Sequence, residues 1–273
     1  MRITTARTGF LLLCFLSLLL LNGCRPGTDT DSRKAGESRK EIEAGVKLLE
    51  KGREKPALDA FDRALASAPS EFDACRAVVA ILMDAGMYEQ STPYIKRAIA
   101  VPPPGRSRSD LVRDRFRDSE MYRALGDAHY QLNKVGEAER AYRQAVRLNR
   151  HNSTAYNNWG YMYADLGIKL DAALRLTKRA VELEPRSACF IDSLGWAYYR
   201  KGQTGKALEL LKKAAWLYPS DPEVRQHLGK AYEAQGDMNS ALIEYHKAAI
   251  LSQDRRTALQ PLQSEDRKPR EKK

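Results

Sequence analysis

A self-similarity of period 34 is the feature that most constrains this chain. Pro69 and Pro103 lie one period apart, and each closes a segment. The first segment holds Gly45, Leu48, Ala57, Phe61 and Ala64; the second has Gly86, Ile95 and Ala98 in register. Leu125-Gly126 heads a third copy with Ala138, Tyr142 and Ala145, and Trp159-Gly160 a fourth with Tyr163, Gly167, Ala173, Ala180 and Pro185. Leu194-Gly195 opens a fifth, with Tyr198, Gly202, Ala207, Leu211, Ala214 and Pro219. Leu228-Gly229 opens a sixth, with Tyr232, Gly236, Ala241, Tyr245 and Ala248. Small residues let two helices approach, large ones fill the space between units at i, i+4 spacing, and Pro ends a helix. No such unit buries its apolar face alone, so neighbours must stack.

These residues resemble the tetratricopeptide repeat, a helix–turn–helix unit. Copies fall at 38–71, 72–105, 119–152, 153–187, 188–221 and 222–255. The resemblance implies an all-α chain, a right-handed α-solenoid of about six repeats. Two disturbances interrupt the register: an extra residue near Ile168 to Asp171, and an Arg-rich insertion at 106–118. Arg150 and Gln253 replace the terminating Pro, so those helices are expected to run on. Residues 256–273 are expected to form a capping extension and a basic tail.

The start of the chain reads as an address. Arg2 and Arg7 precede an apolar run from Phe10 to Leu21, too short for the roughly 20 residues of a spanning helix. Leu21-Asn22-Gly23-Cys24 resembles the lipobox of bacterial lipoproteins. That resemblance implies a signal peptide over 1–23, lipidation at Cys24, and a polar tether through residue 37. Two or three acyl chains anchor a protein stably, at about 0.8 kcal/mol per buried CH₂. By resemblance to enterobacterial sorting, Arg25 favours the outer membrane, with the protein facing the periplasm. An apolar content of 43% excludes wholesale disorder, and four Cys exclude a disulfide-built scaffold. The surplus of +11 is not read as a nucleic-acid signal in an exported lipoprotein.

The repeat resemblance also implies which positions of each first helix face the inner groove. They give Arg123, Asp127 and Tyr130 from the third copy, and Asn157, Asn158, Tyr161 and Asp165 from the fourth. The fifth gives Asp192, Trp196, Tyr199 and Arg200; the sixth gives Gln226, His227, Lys230 and Glu233. Asn offers donor and acceptor to a peptide backbone, and Tyr and Trp give rigid contact area. Trp196 and Tyr199 are expected to be exposed in the groove, and Trp159 to lie in the core. Trp216 stands where the repeat usually has an exposed Glu, so it either makes a second contact or covers the neighbouring loop. The eukaryotic chaperone-binding members hold a C-terminal carboxylate with Lys/Asn/Asn/Lys/Arg. The matching positions here read Arg123, Asp127, Asn158, Cys189 and Ser193, and Asp127 disfavours that ligand. In the insertion, Arg and Asp alternate from Arg106 to Asp118, as in a solvated helical extension; the other reading is contact with anionic lipid or an acidic partner.

No Gly-rich phosphate loop, His pair at i, i+4, Cys-x-x-Cys or Gly-x-Ser-x-Gly occurs in the sequence. The expectation is therefore a non-catalytic, membrane-anchored adaptor or scaffold of the bacterial cell envelope, with no cofactor and no metal. Its groove would hold an envelope protein or an extended peptide. The fourth and fifth copies look like a repeat pair in proteobacterial outer-membrane lipoproteins, some of which deliver substrates to carboxy-terminal processing proteases. A pilotin for secretin or type IV pilus assembly and a regulatory subunit of an envelope enzyme are the alternatives. Oligomeric state is left open.

Overall fold

The computed structural model describes the backbone of residues 29–101 and 108–259, and the side chains of 29–101 and 112–253. The signal segment, Cys24, Arg106 and the tail from 260 lie outside the described residues. Every element among those described is a helix: α1 (Asp29–Glu50), α2 (Glu54–Ser67), α3 (Glu71–Asp84), α4 (Tyr88–Ala100), α5 (Arg108–Gln131) and α6 (Val135–Leu148), then α7 (Ser153–Leu166), α8 (Leu170–Leu183), α9 (Ala188–Arg200), α10 (Thr204–Leu217), α11 (Pro222–Gln235) and α12 (Met238–Leu259). They pair as six antiparallel hairpins, α1/α2 to α11/α12, in two compact units divided after Asn149. Each unit is an all-α stack. In the second, α9 packs on both α7 and α8, and α11 on both α9 and α10.

One turn is used six times. Two or three residues past each first helix, a backbone N–H donates five residues back: Arg53 to Leu48, Met87 to Leu82, Lys134 to His129, Ile168 to Tyr163, Gln203 to Tyr198 and Asp237 to Tyr232, at 2.8–3.0 Å. This 6→1 closure places the preceding residue in the left-handed region, as at Gly202 (φ 77°). In the third hairpin Asn133 takes the position at φ 58°, the one common substitute. The extra residue of the fourth copy is also in this turn, where Lys169 takes φ 45°. First helices of later hairpins start on side-chain caps: Ser70 accepts from Asp73, Asn152 from Ala155, Ser187 from Phe190, and Asp221 from Glu223.

Within a hairpin, a glycine on the first helix meets a large residue on the second. A Cβ on Gly126 would come 2.5 Å from Tyr142 Cε1, on Gly195 2.8 Å from Leu211 Cγ, and on Gly229 2.5 Å from Tyr245 Cε1. Gly160 faces Thr177 in the same way. Tyr142, Leu211 and Thr177 are fully buried as a result. Cys75 is buried in the core of the first unit, and burial pushes its thiol up to about 11.

Three expectations change. Residues 29–37 are not a flexible tether but the opening turns of α1, supported by Asp31 and Asp29 in the first turn and by an Arg33–Glu37 pair at i, i+4. Arg150 does not prolong a helix: α6 ends at Leu148, because Asn149 turns to extended backbone, and Asn152 caps the next helix. The insertion is helical from Arg108 as the start of α5, yet it is not simply solvated. Arg117 is only 12% exposed in its side chain; it donates to the Val101 carbonyl at 3.2 Å and lies 4.3 Å over the Phe72 ring. Asp114, three positions before it, is buried, while Arg113 and Arg115 remain exposed. By contrast α12 does run through Gln253, to Leu259.

Candidate functional site

The residues expected in the groove separate between the two units. In the first, Arg123 is engaged on its own helix, bonding Glu120 at 3.0 Å and Asp127 at 2.5 Å, while Tyr142 donates to Asp127 at 2.7 Å. Asp127 is thereby a structural acceptor between α5 and α6. Tyr130 is half-buried near the end of α5.

The second unit brings the others together. Helical spacing puts Asp192, Trp196, Tyr199 and Arg200 on one stripe of α9, and Glu223, His227 and Lys230 on one stripe of α11. The Trp196 ring stacks on His227 at 4.2 Å and on Tyr199 at 4.9 Å. Lys230 Nζ lies 4.9 Å from that ring and the Arg200 guanidinium 5.4 Å, both in cation–π range. From α7, the Tyr161 ring tilts toward His227, and its hydroxyl donates to Glu223 of α11 at 2.8 Å. Asn157 donates to Asn158 at 3.3 Å. Arg200 also donates to the Asp165 carbonyl, beside Gly167, where a Cβ would meet Arg200 Nη2 at 2.7 Å. The result is an aromatic and cationic platform built from three successive first helices.

Below it lies a buried pair. His227 Nδ1 and Asp192 Oδ2 are 2.9 Å apart, and both residues are buried. Burial raises the Asp192 carboxyl above its ordinary range, with His227 opposing the shift. Asp192 Oδ1, Asn157 Oδ1 and Trp196 Nε1 are also buried without a hydrogen-bond partner among the described residues. Cys189, at the start of α9, is exposed by surface area; crowding around its sulfur and then the charges of Asp192, Glu223 and Asp221 still push its thiol up to about 11. A thiol so placed is protonated at neutral pH.

Trp196, expected to be exposed, is 4% exposed, because His227 covers one part of its ring and Tyr199 another. Asn157 and Asp192 are buried as well. Asn158, Tyr161, Tyr199, Arg200 and Lys230 are half-buried, while Asp165, Glu223, Gln226 and Glu233 are exposed. Trp159, expected in the core, is half-buried and packs at 6.1 Å on Tyr163. Trp216 is 78% exposed at the rim of a shallow hollow lined by Pro219, Leu228 and Tyr232, so it does not cover the loop beside it. His227 and Glu223 are the residues that sequence reasoning undervalued. Their signal was available: an acid and a histidine at 192 and 227 lie one repeat and one residue apart, which places them on facing first helices.

Among the described residues no group of three or more His, Cys, Asp and Glu could hold a metal ion, and no helix is long and apolar enough to cross a membrane. A family model described as a TPR repeat matches residues 126–167 and 195–236. A human curated protein, Protein O-mannosyl-transferase TMTC2, is 29% identical over 100 residues, 37% of this chain but only 11% of that protein. Among solved structures, MamA (41-end) from Desulfovibrio magneticus RS-1 is 21% identical with a TM-score of 0.51, covering 67% of this chain and 96% of that one. A double mutant of MamA RS-1 gives 20% identity and 0.51, over 68% and 97%. At such identity these structures speak for the fold alone, and the fold, the six shared turns and the matched repeats agree. The chain is an all-α solenoid of the tetratricopeptide kind, and residues 126–167 and 195–236 carry TPR repeats.

Proposed function

We propose that this chain is a non-catalytic adaptor that holds an extended segment of another protein across the first helices α7, α9 and α11. Repeats of this family commonly bind proteins or peptides. The observation that supports the reading here is the platform around Trp196. Its rings are fixed by stacking and by the His227–Asp192 pair, so little side-chain freedom is lost when a client lands on it. Tyr199 and Tyr161 offer rigid area, Asn158 serves a peptide backbone, and Arg200 with Lys230 favours acidic or aromatic client residues. Tyr199→Ala with Lys230→Ala is expected to weaken client capture at least about tenfold with the helical content unchanged. Undiminished capture by that variant would refute the site.

The anchor belongs to the same proposal. The run Phe10 to Leu21 followed by Gly23-Cys24 supports lipidation at Cys24 and residence in the bacterial envelope, at the outer membrane facing the periplasm. Feeding cells an alkyne-bearing palmitate is expected to label the native chain and not Cys24→Ala, which should also leave the membrane fraction. Equal labelling of both would remove the anchor from the account.

A further inference from the structure

The last helix carries apolar surface that its own repeat does not use. At one repeat position Leu174 and Leu208 are buried, since a following hairpin covers each; the equivalent Leu242 on α12 is 62% exposed, against 4% for Leu208. A second departure is chemical. One outward position reads Arg140, Arg175, Glu209 and then Ile243; another reads Arg147, Glu182, Trp216 and then Ile250. Ile243 and Ile250 are both exposed, as is Met238 at the start of the helix. These side chains share one stripe of α12 with His246 at its centre.

Two intramolecular or head-to-tail solutions fail. Residues 260–273 hold one large apolar side chain, Leu262, too little to cover this stripe. The first helix, α1, exposes no large apolar side chain to receive it. The stripe does match itself. Antiparallel pairing about a two-fold axis at His246 sets Leu242 against Ile250 of the partner subunit, and Ile243 against the small Ala249 of the partner subunit. The four open side chains expose on the order of 400 Å² of apolar area, the size of the largest patches on monomers. Two copies would cover roughly 800 Å² of it, which with a polar rim reaches the lower bound of about 1,200 Å² for a specific interface. We infer that α12 is the seam of a homodimer, two copies of this chain pairing through Leu242, Ile243 and Ile250 around His246.

Sedimentation velocity on the full chain carrying Cys24→Ser, so that no lipid drives association, tests this. A dimer mass is expected at micromolar concentration. Leu242→Asp with Ile250→Asp is expected to raise the dissociation constant at least about hundredfold, with far-UV circular dichroism unchanged. A second readout does not depend on that variant folding. In a Cys189→Ser background, His246→Cys should oxidise to a covalent dimer, because an axial residue meets its own copy, whereas Ser240→Cys should not. A monomer at every concentration, a dimer that survives the double substitution, or equal cross-linking at 240 and 246 would each overturn the proposal. So would a monomer that takes up a helix of another protein on this stripe.

Discussion

The Trp196 indole and the His227 imidazole lie 4.2 Å apart and within 14° of parallel, joining α9 to α11 at the centre of the platform. His227 is itself held by Asp192, so one side chain links a buried carboxylate to the ring above it. Removing His227 should therefore loosen two adjacent hairpins and uncover Trp196. His227→Ala is expected to cost about 2–3 kcal/mol by urea unfolding and to red-shift the tryptophan emission. An unshifted spectrum with native stability would mean that the stack does not form.

The raised Asp192 carboxyl gives a pH dependence of definite sign. An acid whose folded pKa exceeds its unfolded value binds its proton more tightly in the native state. Stability contributed by that group is greatest when it is protonated, and falls as pH rises from the ordinary carboxyl range through the raised value. Asp192→Asn removes this loss and still accepts from His227. Its melting temperature relative to the native chain should rise between pH 4 and pH 8; a constant difference would contradict the assignment.

Cys189 offers a chemical check on the same region. With its thiol near 11, it should react with iodoacetamide at pH 7.5 about a hundredfold more slowly than an unperturbed cysteine, despite its exposure. Glu223→Gln removes one of the charges responsible and should speed the reaction.

The repeated glycines can be tested singly. Gly229→Ala forces Tyr245 from the first helix of its hairpin and should cost about 1–3 kcal/mol. Gly136→Ala, which meets open space near the start of α6, should be neutral or slightly stabilising.

The hairpins were legible because their signal is local and repeated: glycine against a residue about sixteen positions on, and a turn closed the same way six times. The groove stripe was legible as a set of positions, since helical spacing alone puts Trp196, Tyr199 and Arg200 on one side. Accessibility was not. Trp196 is buried because His227 comes from the next first helix, and no property of α9 alone reveals that cover. Arg117 shows the same limit: a charge run reads as solvated until Phe72 and the Val101 carbonyl, far back in the chain, are seen beside it.

The most direct measurement is photo-crosslinking in the native cell from a probe amino acid at Tyr199, with mass spectrometry of the captured chain and a parallel probe at Trp216. One dominant envelope protein at Tyr199, lost with Asn158→Ala and absent at Trp216, is the expected result. Capture from Trp216 alone, or a Tyr199 adduct indifferent to Asn158, would contradict a client held on the first helices.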